Sequence, residues 1–166
     1  MNFNITNMKN KILFIALISI LFQFCSTKQL QFNYEFSCND IGTQGTKVIK
    51  VFTTGRNAET AMKSSNMMAV HAFLFKTVVC DGQPQPAISK YSYNEKKDFF
   101  DDFFISGKYQ DYVMQTSNAT IKSEDRRRLE NGDIKVGVKV QVQYKALHQY
   151  MISKGMANSL TNSLGM

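Results

Sequence analysis

The stretch NGDIKVGVKVQVQY, Asn131 to Tyr144, decides the fold. Ile134, Val136, Val138, Val140, Val142 and Tyr144 fall on one side of an extended chain, and Lys135, Gly137, Lys139, Gln141 and Gln143 fall on the other. A period of two is the signature of a strand, because successive Cβ atoms leave opposite faces of the pleat. A face so consistently polar implies a sheet covered by helices on one side only. Glycine inside a strand often marks the close approach of another backbone or a ligand, and Gly137 stands among the polar residues. Lys135, Gly137, Lys139, Gln141 and Gln143 are therefore the candidate partner-binding surface. The plainer alternative is a solvated sheet face with a twist-permitting glycine.

Working outward, LQFNYEFSC (Leu30 to Cys38) alternates in the same way and predicts a half-buried strand. The loop NDIGTQGT follows, then a second strand over KVIKVFT, Lys47 to Thr53. So short a connection makes the two strands antiparallel neighbours. Asn57 can cap a helix running from Ala58 to about Val79, with Glu59 in its first turn complementing the dipole. Small residues Ala58, Ala61, Ser65, Ala69 and Ala72 recur at three- and four-residue steps, which lets a helix lie close on a sheet. Met62, Met68, Phe73 and Leu74 fill the flanks; Met-rich helices also serve as adaptable binding surfaces, but core packing is the commoner use.

This unit places the cysteines. A strand of about eight residues rises about 26 Å, and a returning helix of about twenty-two covers about 33 Å. The helix therefore ends near the pole where the second strand begins, which is also where Cys38 closes the first. Cys80 follows the helix, so the geometry favours a Cys38–Cys80 disulfide over two buried free thiols.

KKDFFDDFFISGKY, residues 96–109, sets aspartates among phenylalanines and raises the question of a carboxylate site. At about 100° per residue, Phe99, Phe100, Phe103 and Phe104 share one arc, and Asp98, Asp101 and Asp102 share the opposite one. The pattern is an amphipathic helix with a solvated acidic face. Ser92 and Glu95 have capping-box spacing ahead of it, and Gly107 can end it. DGQPQP before it reads as a loop. Val113 to Lys122 is strand-like with blurred alternation, EDRRRLENGD reads as a solvated hairpin tip, and Lys145 to about Lys154 offers a last helix. Residues 157–166 read as a flexible tail.

Residues 1–27 read as a signal peptide. Lys9 and Lys11 precede the apolar run Ile12 to Phe22, which is too short to span a bilayer core of about 30 Å. Translation from Met8 would give a more usual beginning. Small-residue spacing favours a cut before Lys28, whereas Cys25 directly after the apolar run is a candidate lipid anchor. Removing residues 1–27, which hold two lysines and no acids, lowers the net charge from +7 to +5. Such a value favours weak attraction to anionic surfaces.

The parts for recognised catalysis are missing. His71 and His148 are isolated helical histidines, and no H-x-x-x-H, C-x-x-C, phosphate-loop or G-x-S-x-G pattern occurs. With the cysteines in a bridge, the three or four converging ligands of a zinc site are not available. Arg126, Arg127 and Arg128 invite a nucleic-acid reading, but residues 122–135 hold five positive and four negative side chains. That balance is too small for a phosphate-tracking stripe.

The runs GTQGTKVIKV, DFFDDFFISGKYQDYV and DRRRLENGDIKVGVKVQV, with Leu147, resemble a group of short exported proteins of Gram-negative bacteria classed as a domain of unknown function. The resemblance covers most of residues 34–156 and attaches no activity or catalytic residue. More loosely, the order strand, alanine-rich helix, hairpin is similar to the flagellar-assembly-factor N-terminal domain and related small envelope lipoproteins, although Gln23 and Phe24 do not make a lipobox before Cys25.

The expectation is a two-layer α+β domain over residues 28–156, with one mixed, mostly antiparallel sheet of about four strands and helices on one face. Its expected role is a non-catalytic periplasmic or secreted module that binds a protein partner in the cell envelope. No cofactor, metal, nucleic acid or membrane span is expected in the mature chain. The alternatives are a hydrolase or transferase with an unrecognised carboxylate pair, and a tethering lipoprotein lipidated at Cys25.

Overall fold

The computed structural model describes residues 30–40, 42–80, 82–115 and 121–159. The expected signal peptide with Met8 and Cys25, residues 116–120 of the expected blurred strand and residues 160–166 of the expected tail lie outside them. The chain divides into two units, residues 1–31 and 32–166, and the second carries the fold.

That fold is α+β. Strands β1 (Glu35–Asp40), β2 (Lys47–Gly55) and β7 (Ile134–Val142) lie side by side in the order β1-β2-β7. The far edge of β7 is shared by β5 (Val113–Gln115) and β6 (Arg126–Arg128). The five-stranded sheet is antiparallel in every one of these pairings, in keeping with the mostly antiparallel sheet expected, with one strand more than the four anticipated. The extra strand arises because two short segments, β5 and β6, share one long neighbour.

Register aligns the apolar faces. Ile49 opposes Val140, Val51 opposes Val138 and Thr53 opposes Val136, all of them buried. Helix α1 (Ala58–Phe75) lies on this face with Ala61, Ser65, Ala69 and Ala72 fully buried. The Asn57 side chain accepts the Thr60 N–H at 2.8 Å, as its capping role requires. Thr53 is the polar exception in the layer, and its hydroxyl donates to the Ala61 carbonyl at 2.6 Å, joining sheet to helix.

The helix stops at Phe75, four residues before the expected end. Thr77, Val78 and Val79 are β-branched and prefer extended backbone. Val78–Cys80 forms β3, which pairs with β4 (Gln83–Gln85) as a two-stranded ribbon where the sequence suggested only a loop. Pro84 is tolerated because a ribbon this short leaves one strand edge without a ladder partner. Eighteen residues of helix still cover about 27 Å, enough to return to the starting pole. There Cys38 and Cys80 form a disulfide with a Cα–Cα distance of 4.9 Å.

Ser92 and Glu95 make the reciprocal capping box, with Ser92 N–H to Glu95 Oε2 at 2.7 Å and Glu95 N–H to Ser92 Oγ at 3.4 Å. A single 3-10 turn, Asn94–Lys96, separates it from α2 (Lys97–Ile105). Phe100, Phe103 and Phe104 are buried, while Phe99, at the margin of the apolar arc, stays partly exposed. Helix α3 (Tyr144–Ser153) buries Leu147 and Met151. Ring contacts between Phe75 and Phe100 (4.7 Å), Phe103 and Tyr150 (5.7 Å), and Phe73 and Tyr144 (5.6 Å) gather the three helices on one side of the sheet.

Candidate functional site

On the other side of the sheet, β2 presents Val48, Lys50, Phe52 and Thr54 opposite Gln141, Lys139, Gly137 and Lys135 of β7. Phe52 is the unexpected member, an aromatic ring at a position whose strand neighbours in phase are polar. Its ring lies over Gly137: a Cβ built there would sit 2.7 Å from Phe52 Cε1 and 3.0 Å from Lys50 Cε. The space left by the glycine is thus filled from within, by the neighbouring strand, and the close approach inferred from the sequence is made by Phe52 itself.

Charged groups fix the ring. Lys50 Nζ and Lys135 Nζ stand 5.6 Å and 5.7 Å from its centroid, within cation–π range. Lys135 pairs with Glu35 at 2.8 Å across the sheet. Lys50 pairs with Asp125, which the 3-10 turn Ser123–Asp125 brings back over the sheet. Both members of the Lys50–Asp125 pair are partly buried, so solvent screens it less than a fully exposed surface pair. Arg127 of β6 lies opposite Lys135. Together Glu35, Phe52, Glu124, Asp125, Arg127 and Lys135 line a cleft of about 190 Å³.

Of the residues proposed from the sequence, Lys135 and Gly137 belong to this cluster. Lys139 lies opposite Lys50 and is exposed. Gln141 is further along the face, its amide donating to Thr46 Oγ1 at 3.1 Å. Gln143 has left the strand: its N–H donates to the Tyr112 carbonyl and its own carbonyl accepts from Leu147 N–H, at the entry to α3. Sequence reasoning passed over Lys50, Phe52 and Glu35, and placed Asp125 and Arg127 in a solvated hairpin tip apart from this face. The signal for Phe52 was its phase with Lys50 in KVIKVFT; nothing local announced that Asp125 would fold back onto β2.

The other candidate groups have structural partners. Asp98 and Asp102 are exposed on α2, whereas Asp101 accepts from Tyr93 Oη at 2.5 Å and pairs with Lys97. Those two contacts, Lys97 first, hold the Asp101 carboxyl below its ordinary range. His71 is buried with Nδ1 2.7 Å from the Tyr34 hydroxyl and its ring stacked on Phe32 at 3.9 Å. Burial, helped by the charge of Lys76, pushes its pKa down to about 4, so it is neutral at physiological pH. His148 Nε2 is 3.2 Å from the Asn158 carbonyl, to which it donates, and its Nδ1 is buried.

Among the described residues, no group of three or more His, Cys, Asp or Glu side chains could hold a metal ion. No helix among them is long and apolar enough to cross a membrane. No family model, curated protein or solved structure matches the chain.

Proposed function

We propose that the chain is a non-catalytic binding module of the cell envelope, exported by its N-terminal segment, and that it docks a protein partner on the sheet face centred on Phe52. The observation that carries this reading is the fixed aromatic: Phe52 is seated over Gly137 between Lys50 and Lys135. A ring immobilised before binding loses little conformational freedom on association, and aromatic residues with arginine dominate the energetics of protein interfaces. Arg127 beside the ring and the exposed Lys139 further along supply a positive margin suited to an acidic partner. Met114, 52% exposed and opposite Gln141, extends the apolar area toward the β5 edge.

The test is affinity purification of the tagged full-length chain from chemically cross-linked envelopes of the cells that make it. A partner recovered with wild type should be lost with Phe52→Ala and weakened by Arg127→Glu, with circular dichroism retained. Lys139→Glu should chiefly slow association, and added salt should shrink the difference. Equal recovery with all three variants would remove this face as the docking surface.

A further inference from the structure

A second cleft, of about 370 Å³, lies on the helical side between the end of α1 and the segment Ala87–Tyr93. Its walls are aromatic. Phe75 and Tyr93 meet edge to face at 5.6 Å, and Tyr93 is stacked parallel on Phe100 at 5.7 Å, so these rings are held by the core. Tyr91 forms part of the same lining and is flanked by Lys90 Nζ at 5.2 Å and Lys96 Nζ at 4.9 Å from its centroid. His71 also lines the cleft although nine-tenths buried. Its Nδ1 is engaged by the Tyr34 hydroxyl at 2.7 Å, which orients the ring.

The charge carried by the lining itself is cationic. Among the described residues lining the cleft there is no carboxylate. The nearby acids are tied to groups of the lining from outside it, Glu95 to the Ser92 N–H and Asp101 to Tyr93 Oη, with Lys97 as the second partner of Asp101. Flat apolar walls with a cationic rim match a ligand that has a flat apolar body and one negative end. Pockets of about 300–1,000 Å³ are the usual size for small molecules, and this one suits one or two fused rings. We propose that the cleft between α1 and Ala87–Tyr93 is a binding site for a small planar aromatic carboxylate, its rings against Tyr91, Tyr93 and Phe75 and its carboxylate toward Lys90 and Lys96. This site is separate from the Phe52 face and does not depend on it.

Three probes separate the two halves of the claim when titrated into the full chain and followed by backbone amide NMR. They are 2-naphthoate, 2-naphthamide with the same rings and no charge, and cyclohexanecarboxylate with the charge and no flat ring. Saturable binding of 2-naphthoate is expected, about tenfold tighter than either control, with the largest shifts in residues 89–93. Lys90→Gln combined with Lys96→Gln should weaken 2-naphthoate about tenfold and leave 2-naphthamide unchanged. Tyr91→Leu should weaken both naphthalene probes. The proposal is overturned by unsaturable binding, by equal affinity for all three probes, by shifts that map elsewhere, or by lysine variants that bind 2-naphthoate as wild type does.

Discussion

Gly137→Ala measures whether the sheet face is organised as described. Alanine is better than glycine in a strand interior by about 0.5–1 kcal/mol, so in an open position the change would stabilise. Here the new Cβ would stand 2.7 Å from Phe52 Cε1, about 0.7 Å inside ordinary contact. Phe52 must swing away, giving up its seat on the glycine and its contacts with Lys50 and Lys135. Overpacking of this kind costs about 1–3 kcal/mol, and each exposed cation–π contact contributes about 0.5–1 kcal/mol. The net expectation is a loss of about 1–2 kcal/mol in urea unfolding at unchanged m-value. In a Phe52→Ala background the obstruction is gone, leaving only the flexible Lys50 stem at 3.0 Å, and the same substitution should stabilise by about 0.5 kcal/mol. The change of sign, a coupling of about 2 kcal/mol, is the diagnostic. A neutral or stabilising Gly137→Ala in the wild-type background, or an equal loss in both, would refute the packing argument. For the same reason a large residue at 137 is a poor probe of partner binding, since it would displace Phe52 first.

Further outcomes follow from the core and the covalent frame. Replacing Cys38 and Cys80 by alanine, which opens a loop of 42 residues, should lower stability by about 4 kcal/mol in the chain-entropy account, and dithiothreitol should reproduce the shift in urea midpoint. Phe103→Ala should cost about 3–5 kcal/mol by leaving a cavity, clearly more than Phe99→Ala at the exposed margin of the same helix. Asp98→Asn should stay within about 0.5 kcal/mol of wild type, while Asp101→Asn, which weakens the contacts to Tyr93 and Lys97, should lower the melting temperature more than Asp98→Asn does.

Elements governed by a single local period were legible in the sequence. The alternation of residues 134–142, the small-residue stripe of α1 and the two faces of α2 each follow from one repeat length, and each forms as that repeat dictates. The Cys38–Cys80 bridge was readable too, because rise per residue fixes where a strand and a helix of known length must end. What escaped depends on distant pairs. β6 exists because Arg126–Arg128 found an edge of β7, and its residues, all exposed, carry no apolar alternation to betray it. The Phe52 cluster joins β1, β2, β7 and the 123–125 turn, so no window of sequence contains it. Gly137 shows the difference most clearly: the sequence indicates that something approaches it closely, and only the register identifies the neighbour as Phe52.

His71 makes stability depend on pH in a window that the carboxylates do not share. Its ring is neutral in the folded state, held down to about 4 from an ordinary value of 6.5 by burial and then by the charge of Lys76. A depressed histidine pKa means that the unfolded chain binds the proton more readily, so stability rises with pH between the two values. The contribution is present in full below neither value: it is retained above about pH 6.5 and lost progressively as pH falls toward about 4, where it levels off. Between pH 7 and pH 5 the loss from this one group is about 2 kcal/mol. Glu59, Glu95 and Asp101, whose carboxyls are held below their ordinary range, lose their share only at lower pH. Urea unfolding at pH 7, 6 and 5 should show the decline, and His71→Leu should flatten it, since leucine preserves apolar volume beside Phe32 and Phe75 without a titrating group. The direct check is the His71 ring in NMR titration of the folded protein. A midpoint near 6.5 would show that the imidazole is readily hydrated and charged in place, and the burial argument would fail with it.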